Sequence, residues 1–189
     1  MRIGFVTGAT PDKWARGWRE RRREPLELVP LGQDRQETAL RDGEVDMAIV
    51  RLPVERDGLH LIPLYEEVPV VVVSREHYLS LADEVTLADL DSEQLVRPHQ
   101  SGWNPSAEQL RWPEMDEKTA IETVAAGTGV VIVPMSVARL HHRKDVVAVP
   151  VADLPPTQVG LAWLRDRDDE CTQAFVGVVR GRTVNSSRD

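Results

Sequence analysis

Along the first fifty positions, short apolar runs alternate with stretches whose apolar residues recur at helical spacing. Residues 2–6 (RIGFV) read as a short strand. After Thr7-Gly8-Ala9-Thr10, the order Thr10-Pro11-Asp12 predicts a helix start: a hydroxyl cap, proline at the first helical position, an acid in the first turn. Trp14, Ala15 and Trp18 then recur at helical spacing and are expected to pack on the sheet. A second strand is predicted over 26–31, and a second helix over 33–41, stopped by Gly43. Residues 45–50 (VDMAIV) form a third strand, apolar almost throughout as a parallel central strand is. The order β-α-β-α-β predicts a parallel sheet with helices on its faces.

After Arg51-Leu52-Pro53 the period changes. Residues 59–65 and 68–74 read as extended segments broken by Pro63 and Pro69, and the β-branched run 70–73 reads as a crossing between lobes. A second, smaller αβ unit follows: a helical turn at 87–90, strands at 94–97, 130–133 and 146–151, and helices at 119–126 and 136–140. Pro155-Pro156 leads into a strand at 158–164 and a last helix at 169–181, which carries Cys171, Phe175, Val178 and Val179 on one face. The returning strand and helix predict that the chain comes back to the first lobe. The expected division is therefore lobe I over 1–73 and 154–182, lobe II over 74–153, and a polar, mobile tail over 183–189. Two crossings, near 73 and 154, would make a hinge.

Composition adds exclusions. The chain has 189 residues, 41 % of them hydrophobic and 29 % charged, which is ordinary for a globular domain. No apolar run approaches the roughly 20 residues of a membrane span, and the N-terminus lacks the pattern of a secretory signal. One cysteine forms no internal disulfide, and a cytoplasmic location is expected. The formal charge is −8, and residues 75–153 carry 7 Lys and Arg against 13 Asp and Glu. That balance argues against a duplex-binding surface, which needs a basic stripe. Arg16, Arg19, Arg21, Arg22 and Arg23 are the exception, and they read as a solvated helix end whose cations suit the negative dipole there.

In open parallel sheets, ligands bind beyond the carboxyl ends of the strands, near helix N-termini. Three such places stand out. The turn Thr7-Gly8-Ala9-Thr10 would offer backbone N–H groups to an anion, or would simply be a βα turn without a ligand. Arg51, just past a buried strand, would grip a ligand carboxylate with two prongs, or would make a structural salt bridge. The segment 98–104 (PHQSGWN) brings a histidine, an amide and a tryptophan to one turn, or is a surface loop. Gln33 and the turn Pro134-Met135-Ser136 are weaker members of the set.

Catalytic and metal motifs are missing. Gly127-Thr128-Gly129 follows a helix and precedes a strand, the reverse of a dinucleotide loop. There is no phosphate-binding G-x-x-x-x-G-K and no G-x-S-x-G elbow. His141 and His142 are adjacent and point apart, so no metal is expected, and Cys171 reads as a small core residue. No cofactor is implied.

The motif order RIGFVTGATPDKW, LRDGEVDMAIVRLP, LHLIPLYEEVPVVVVSREHYL, TLADLDSEQLVRP and VAAGTGVVIVP resembles the effector-binding domain of LysR-type transcriptional regulators over nearly the whole chain. The resemblance implies an α/β, periplasmic-binding-protein-like fold: two αβ lobes, two crossover connections and an interlobe cleft holding a small-molecule effector. It also implies a homodimer. Carried onto this sequence, the family's ligand contacts fall on Thr7, Gly8, Ala9, Thr10, Gln33, Arg51, Trp103, Asn104 and Pro105, with Pro134 closing the cleft floor. Family members contact DNA through an N-terminal winged helix-turn-helix, which this sequence does not contain. The stretch between Pro98 and Thr119 is shorter than usual, so the second lobe is expected to lack a helical turn or strand. The expectation is a sensor without catalysis. The rival classes are a stand-alone solute-binding protein and an enzyme on the same bilobal fold, such as a dehydratase or deaminase relative.

Overall fold

The computed structural model describes residues 1–181, so the tail expected over 183–189 lies outside the described residues. The chain divides into two compact αβ units, Met1–Tyr65 with the stretch from Gln158 onward, and Glu66–Thr157. It passes between them twice, and the architecture is periplasmic-binding-protein-like.

The first unit holds a five-stranded sheet in the order β2-β1-β3-β8-β4. Its strands are β1 (Arg2–Val6), β2 (Glu27–Leu31), β3 (Met47–Arg51), β4 (Leu59–Glu67) and β8 (Thr157–Leu164), with β4 and β8 running up to the two passages. β1 pairs in parallel with β2 and β3, whereas β3 pairs antiparallel with β8. Strict alternation explains the apolar runs. Met47, Ile49, Leu161 and Trp163 face one core with Trp14, Trp18 and Phe175, while Ala48, Val50 and Ala162 face another with Ala39 and Leu40. A strand covered on both faces has no polar side to show. The first core is closed by α1 (Asp12–Arg21) and α5 (Glu170–Val179), whose Trp18 and Phe175 rings lie 5.9 Å apart, and the second by α2 (Gln36–Arg41). Arg19 and Arg21 occupy the last turn of α1, where cations oppose the helix dipole.

Helix starts differ from the sequence reading in two places. Thr10 does not cap α1: the first helical carbonyl is that of Pro11, which accepts from the Trp14 and Ala15 N–H groups, and no side chain caps the helix. Proline's fixed φ lets it take the cap position itself, one residue later than expected. The predicted helix 33–41 opens instead with a tight 3-10 turn at Gln33–Arg35 before α2 begins.

The second unit is built on a three-stranded antiparallel sheet, β6 (Val131–Pro134), β5 (Pro69–Ser74) and β7 (Val146–Pro150), with β5 in the centre. Val71 and Val73 face one core; Val70 and Val72 face the other, against α3 (Glu117–Ala125) and α4 (Met135–Leu140). This corrects the reading of 70–73 as a crossing segment. The run is β-branched because both its faces are buried, and the chain passes between units at 65/66, before it, and at 157/158.

The predicted strand at 94–97 is also absent. Leu95 makes one isolated bridge to Val130, and 98–116 carries no helix or strand. Two glutamine amides replace the ladder. Gln94 accepts from the Leu110 N–H and donates to the Glu108 carbonyl, at 2.8 Å each. Gln109 accepts from the Leu95 N–H and donates to the Glu93 carbonyl, at 2.8 and 2.9 Å. Each amide acts as a stray peptide group, which local periodicity does not reveal.

Asp116 caps α3 by accepting from the Thr119 N–H at 2.8 Å, and that bond holds its carboxyl below the ordinary carboxylate range. Asp116→Ala is expected to cost about 1 kcal/mol in urea unfolding. A depressed folded-state pKa contributes stability that is whole above the unfolded value, near pH 4, and lost as the pH falls through the folded value. Wild-type and variant midpoints should therefore converge below about pH 4.

Candidate functional site

The site grows from the carboxyl ends of the three parallel strands. β1 ends at Val6 and turns through Thr7 and Gly8, and Gly8 has a φ of +88°, where a glycine is favoured. The Ala9 N–H donates to the Val6 carbonyl at 3.0 Å, so that amide closes the turn and does not face a ligand. Thr10 is exposed, and the uncapped first turn of α1 follows it, leaving backbone N–H groups of the kind that favour anions. β2 ends at Leu31, and Gln33 opens the 3-10 turn beyond it. β3 ends on Arg51 itself.

One guanidinium gathers these three ends. Arg51 Nη1 donates to Gln33 Oε1 at 3.1 Å, and Nη2 donates to the Thr7 carbonyl at 3.0 Å. The side chain is 1 % exposed, among the largest fully buried groups in the chain. A buried guanidinium is held only where its donors are met, and its planar fork offers a separate nitrogen to each of these two oxygens. The structure thus places Thr7, Gln33 and Arg51 together, although they are distant in sequence. It also shows Arg51 bonded to the protein's own oxygens, a structural role of the kind the sequence offered beside the grip on a carboxylate.

The sequence reading missed Gln36. This side chain is 4 % exposed; its Nε2 donates to the Arg51 carbonyl at 2.8 Å, and its Oε1 accepts from the Arg51 N–H at 2.9 Å. A signal was present: Gln36 stands three and four residues before Ala39 and Leu40, on the buried stripe of α2. A glutamine on such a stripe must find partners for its amide.

In the second unit, the 98–105 loop is tied mostly to itself. The Ser101 N–H donates to His99 Nδ1 at 3.3 Å, which puts the ring proton on Nε2, and the Ser101 hydroxyl lies 2.8 Å from the same Nδ1. Burial, then the nearby Arg97 charge, push the His99 pKa down, so the imidazole is neutral. Trp103 packs against the cluster containing Val71, Val73 and Leu90, Asn104 is exposed and donates to the Gly102 carbonyl at 3.2 Å, and Pro105 is buried. Trp103 and Pro105 therefore serve the packing of their own unit, whatever else they contact. Pro134 ends β6 and stands at the cap of α4, where the Ser136 hydroxyl donates to the buried Glu67 carboxylate.

A cavity of about 600 Å³ opens elsewhere in this unit, lined by Arg75, Glu76, Gly127, Arg143, Lys144 and Asp145 among others. Arg143 is paired with Asp145, and Arg75 Nε donates to the Lys144 carbonyl. None of the candidate ligand contacts lines this cavity. Among the described residues, no group of three or more His, Cys, Asp and Glu is arranged to hold a metal ion, and no helix is long and apolar enough to cross a membrane. Cys171 has its thiol pKa raised by burial, which is the reverse of an activated nucleophile.

A family described as the LysR substrate binding domain matches residues 19–183. Among curated relatives, the Hca operon transcriptional activator HcaR of Escherichia coli (strain K12) is 26 % identical over 173 residues, 85 % of this chain and 58 % of that protein. The HTH-type transcriptional regulator AlsR of Bacillus subtilis (strain 168) is 25 % identical over 160 residues, 74 % of this chain and 52 % of the regulator. The chain thus spans just over half the length of these relatives, both transcriptional regulators. The BenM effector binding domain with its effector benzoate has the same fold, with a TM-score of 0.75 at 22 % identity, covering 97 % of this chain and 94 % of the other. Full-length CbnR complexed with its target DNA matches with a TM-score of 0.74 at 18 % identity, over 96 % of this chain and 70 % of CbnR.

Proposed function

The chain belongs to the LysR substrate binding domain family, and from that membership we propose that it senses a small anionic effector over the carboxyl ends of β1, β2 and β3 on behalf of a transcriptional regulator. The observation that carries this reading is the convergence of Thr7, Gln33 and Arg51 through one buried guanidinium. Such a hub sets a positive charge behind the strand ends, beside the uncapped start of α1, and an anion gains from both. Thr7, Gly8, Thr10, Gln33 and Arg51 are the contacts we assign, with Ala9 shaping the turn. Trp103, Asn104 and Pro105 are proposed separately, as effector contacts on the second unit.

Binding works as a signal only through a difference in affinity between two arrangements of the protein. In this reading the chain performs no chemistry on the effector and needs no cofactor. Contact with DNA through a helix-turn-helix, a homodimer of such domains and a cytoplasmic setting are parts of the same proposal. The domain folds of BenM and CbnR support it.

A thermal-shift screen of small carboxylates tests the proposal, with benzoate as the first probe. A ligand present at 100 times its Kd stabilises the folded chain by about 2.7 kcal/mol, a shift of several degrees. Neutral amides of the same acids should shift the melting temperature far less. Equal shifts from acid and amide would remove the anion from the proposal, and no shift from any carboxylate would remove the site.

A further inference from the structure

We infer that Gln36 is the positioning residue of this site: its amide clasps the Arg51 backbone and so holds the guanidinium against Thr7 and Gln33. The inference rests on the proposed effector site. Its geometry, however, can be read without any ligand.

The need for Gln36 follows from strand pairing. The Leu52 N–H donates to the Gln158 carbonyl at 2.9 Å on the β8 side. Backbone groups alternate sides along a strand, so the Arg51 N–H and carbonyl face the other way, toward β1. No strand meets them there. The β1–β3 register runs only from Ile3 opposite Met47 to Phe5 opposite Ile49, and the Val6 carbonyl is already taken by Ala9. Arg51 is buried, and a buried peptide group left unpaired is costly. A glutamine amide carries an acceptor and a donor side by side, like a peptide, and Gln36 supplies both. Neither an aliphatic side chain nor an ionised carboxylate can do that.

The clasp also sets a distance. Gln33 lies three residues before Gln36, so anchoring Gln36 to Arg51 fixes how far the Gln33 amide stands from the guanidinium it receives. Without it, the end of β3 can shift against α2, and a long side chain then loses two fixed acceptors together.

The test uses Gln36→Met, which keeps volume and removes both bonds, and Gln36→Glu, which turns the donor into a titrating group. The first readout is NMR of the Arg51 guanidinium N–H signals in the unliganded chain, assigned by their loss in Arg51→Lys. The wild type should show resolved Nη protons, held by Gln33 and Thr7, and Gln36→Met should show one averaged signal. In Gln36→Glu the signals should be averaged at high pH and resolve again as the pH falls, because the protonated carboxyl can donate to the Arg51 carbonyl. Neither wild type nor Gln36→Met should follow that profile. The second readout is benzoate affinity by calorimetry, which should fall by about tenfold or more in Gln36→Met and recover with acid in Gln36→Glu. Resolved Arg51 signals in Gln36→Met, or signals in Gln36→Glu that ignore pH, overturn the role. If Gln36→Met does not fold, Gln36→Glu, which keeps one of the two bonds, decides the question alone. If the wild type does not bind benzoate, that probe fails as an effector, while the guanidinium signals still decide for or against Gln36.

Discussion

Arg51→Ala should lower the stability of the chain by about 2–4 kcal/mol and, in protein still folded, weaken an anionic effector by about 1.5–3 kcal/mol. The stability loss has two sources. Removing a fully buried side chain of this size leaves a cavity, and Gln33 Oε1 and the Thr7 carbonyl lose their donor. Against these stands the desolvation of the guanidinium, which the variant no longer bears, so the figure stays below a simple sum. The affinity loss comes from the missing charge and from the freed Thr7 turn. Arg51→Lys separates the two causes. It keeps the charge, but its three donors sit on one nitrogen of a shorter side chain and do not reproduce the two separated nitrogens that reach Gln33 and Thr7. Its affinity should therefore fall between those of wild type and Arg51→Ala, while its stability stays close to that of the alanine variant. Urea unfolding and calorimetry measure both quantities, and unchanged values for Arg51→Ala would contradict the assigned role.

Gly129→Ala should be at least as damaging, and Gly127→Ala should not, although the two glycines stand two residues apart in one turn. Both have positive φ, +82° at Gly127 and +70° at Gly129. A Cβ at Gly127 meets nothing within 4 Å, so only the backbone strain remains, about 1 kcal/mol. A Cβ at Gly129 would lie 2.3 Å from the Gln94 carbonyl oxygen and 2.9 Å from Val96 Cγ1. That carbonyl accepts from the Val130 N–H at 2.8 Å, and the Val96 N–H donates to the Val130 carbonyl at 3.0 Å. Making room means pushing 94–96 away and breaking both bonds, a cost of about 3–5 kcal/mol. Denaturant midpoints at constant slope give the comparison, and equal losses at the two positions would refute it. Gly129 is thus a place where two backbones touch.

The elements differ in how far local pattern revealed them. β1, β3 and β8 were legible because a strand buried on both faces shows an unbroken apolar run, and α1 because Trp14, Ala15 and Trp18 mark one face. The same logic misled at 70–73. An unbroken run records double burial but not which unit supplies it, so a central strand passed for a crossing segment. At 94–97 the residues suit an extended chain, yet its backbone pairs only with Val130 on one side and with the Gln109 amide on the other, while the Gln94 amide reaches Glu108 and Leu110, and pairing by side chains has no period. Thr10 and Pro11 both suit a helix start, and a difference of one residue lay below what capping preferences resolve.

The sequence by itself determined the kinds of element, their order, the parallel first half of the larger sheet, the family resemblance, and Arg51 as a residue out of character for a buried strand end. The elements and Arg51 depend on residues within a turn or a strand of one another, and the sheet and the resemblance on the order in which those short patterns follow along the chain. Only the tertiary structure decided what Arg51 holds. Its contacts reach Thr7, Gln33 and Gln36, which lie 44, 18 and 15 positions away. Hydrogen-bond partners at such separations are set by how strands and helices pack, and no local period encodes them. The arginine that the sequence offered as a ligand's grip also ties three strand ends in the fold, and the bonds by which Gln36 holds it in place are seen only there.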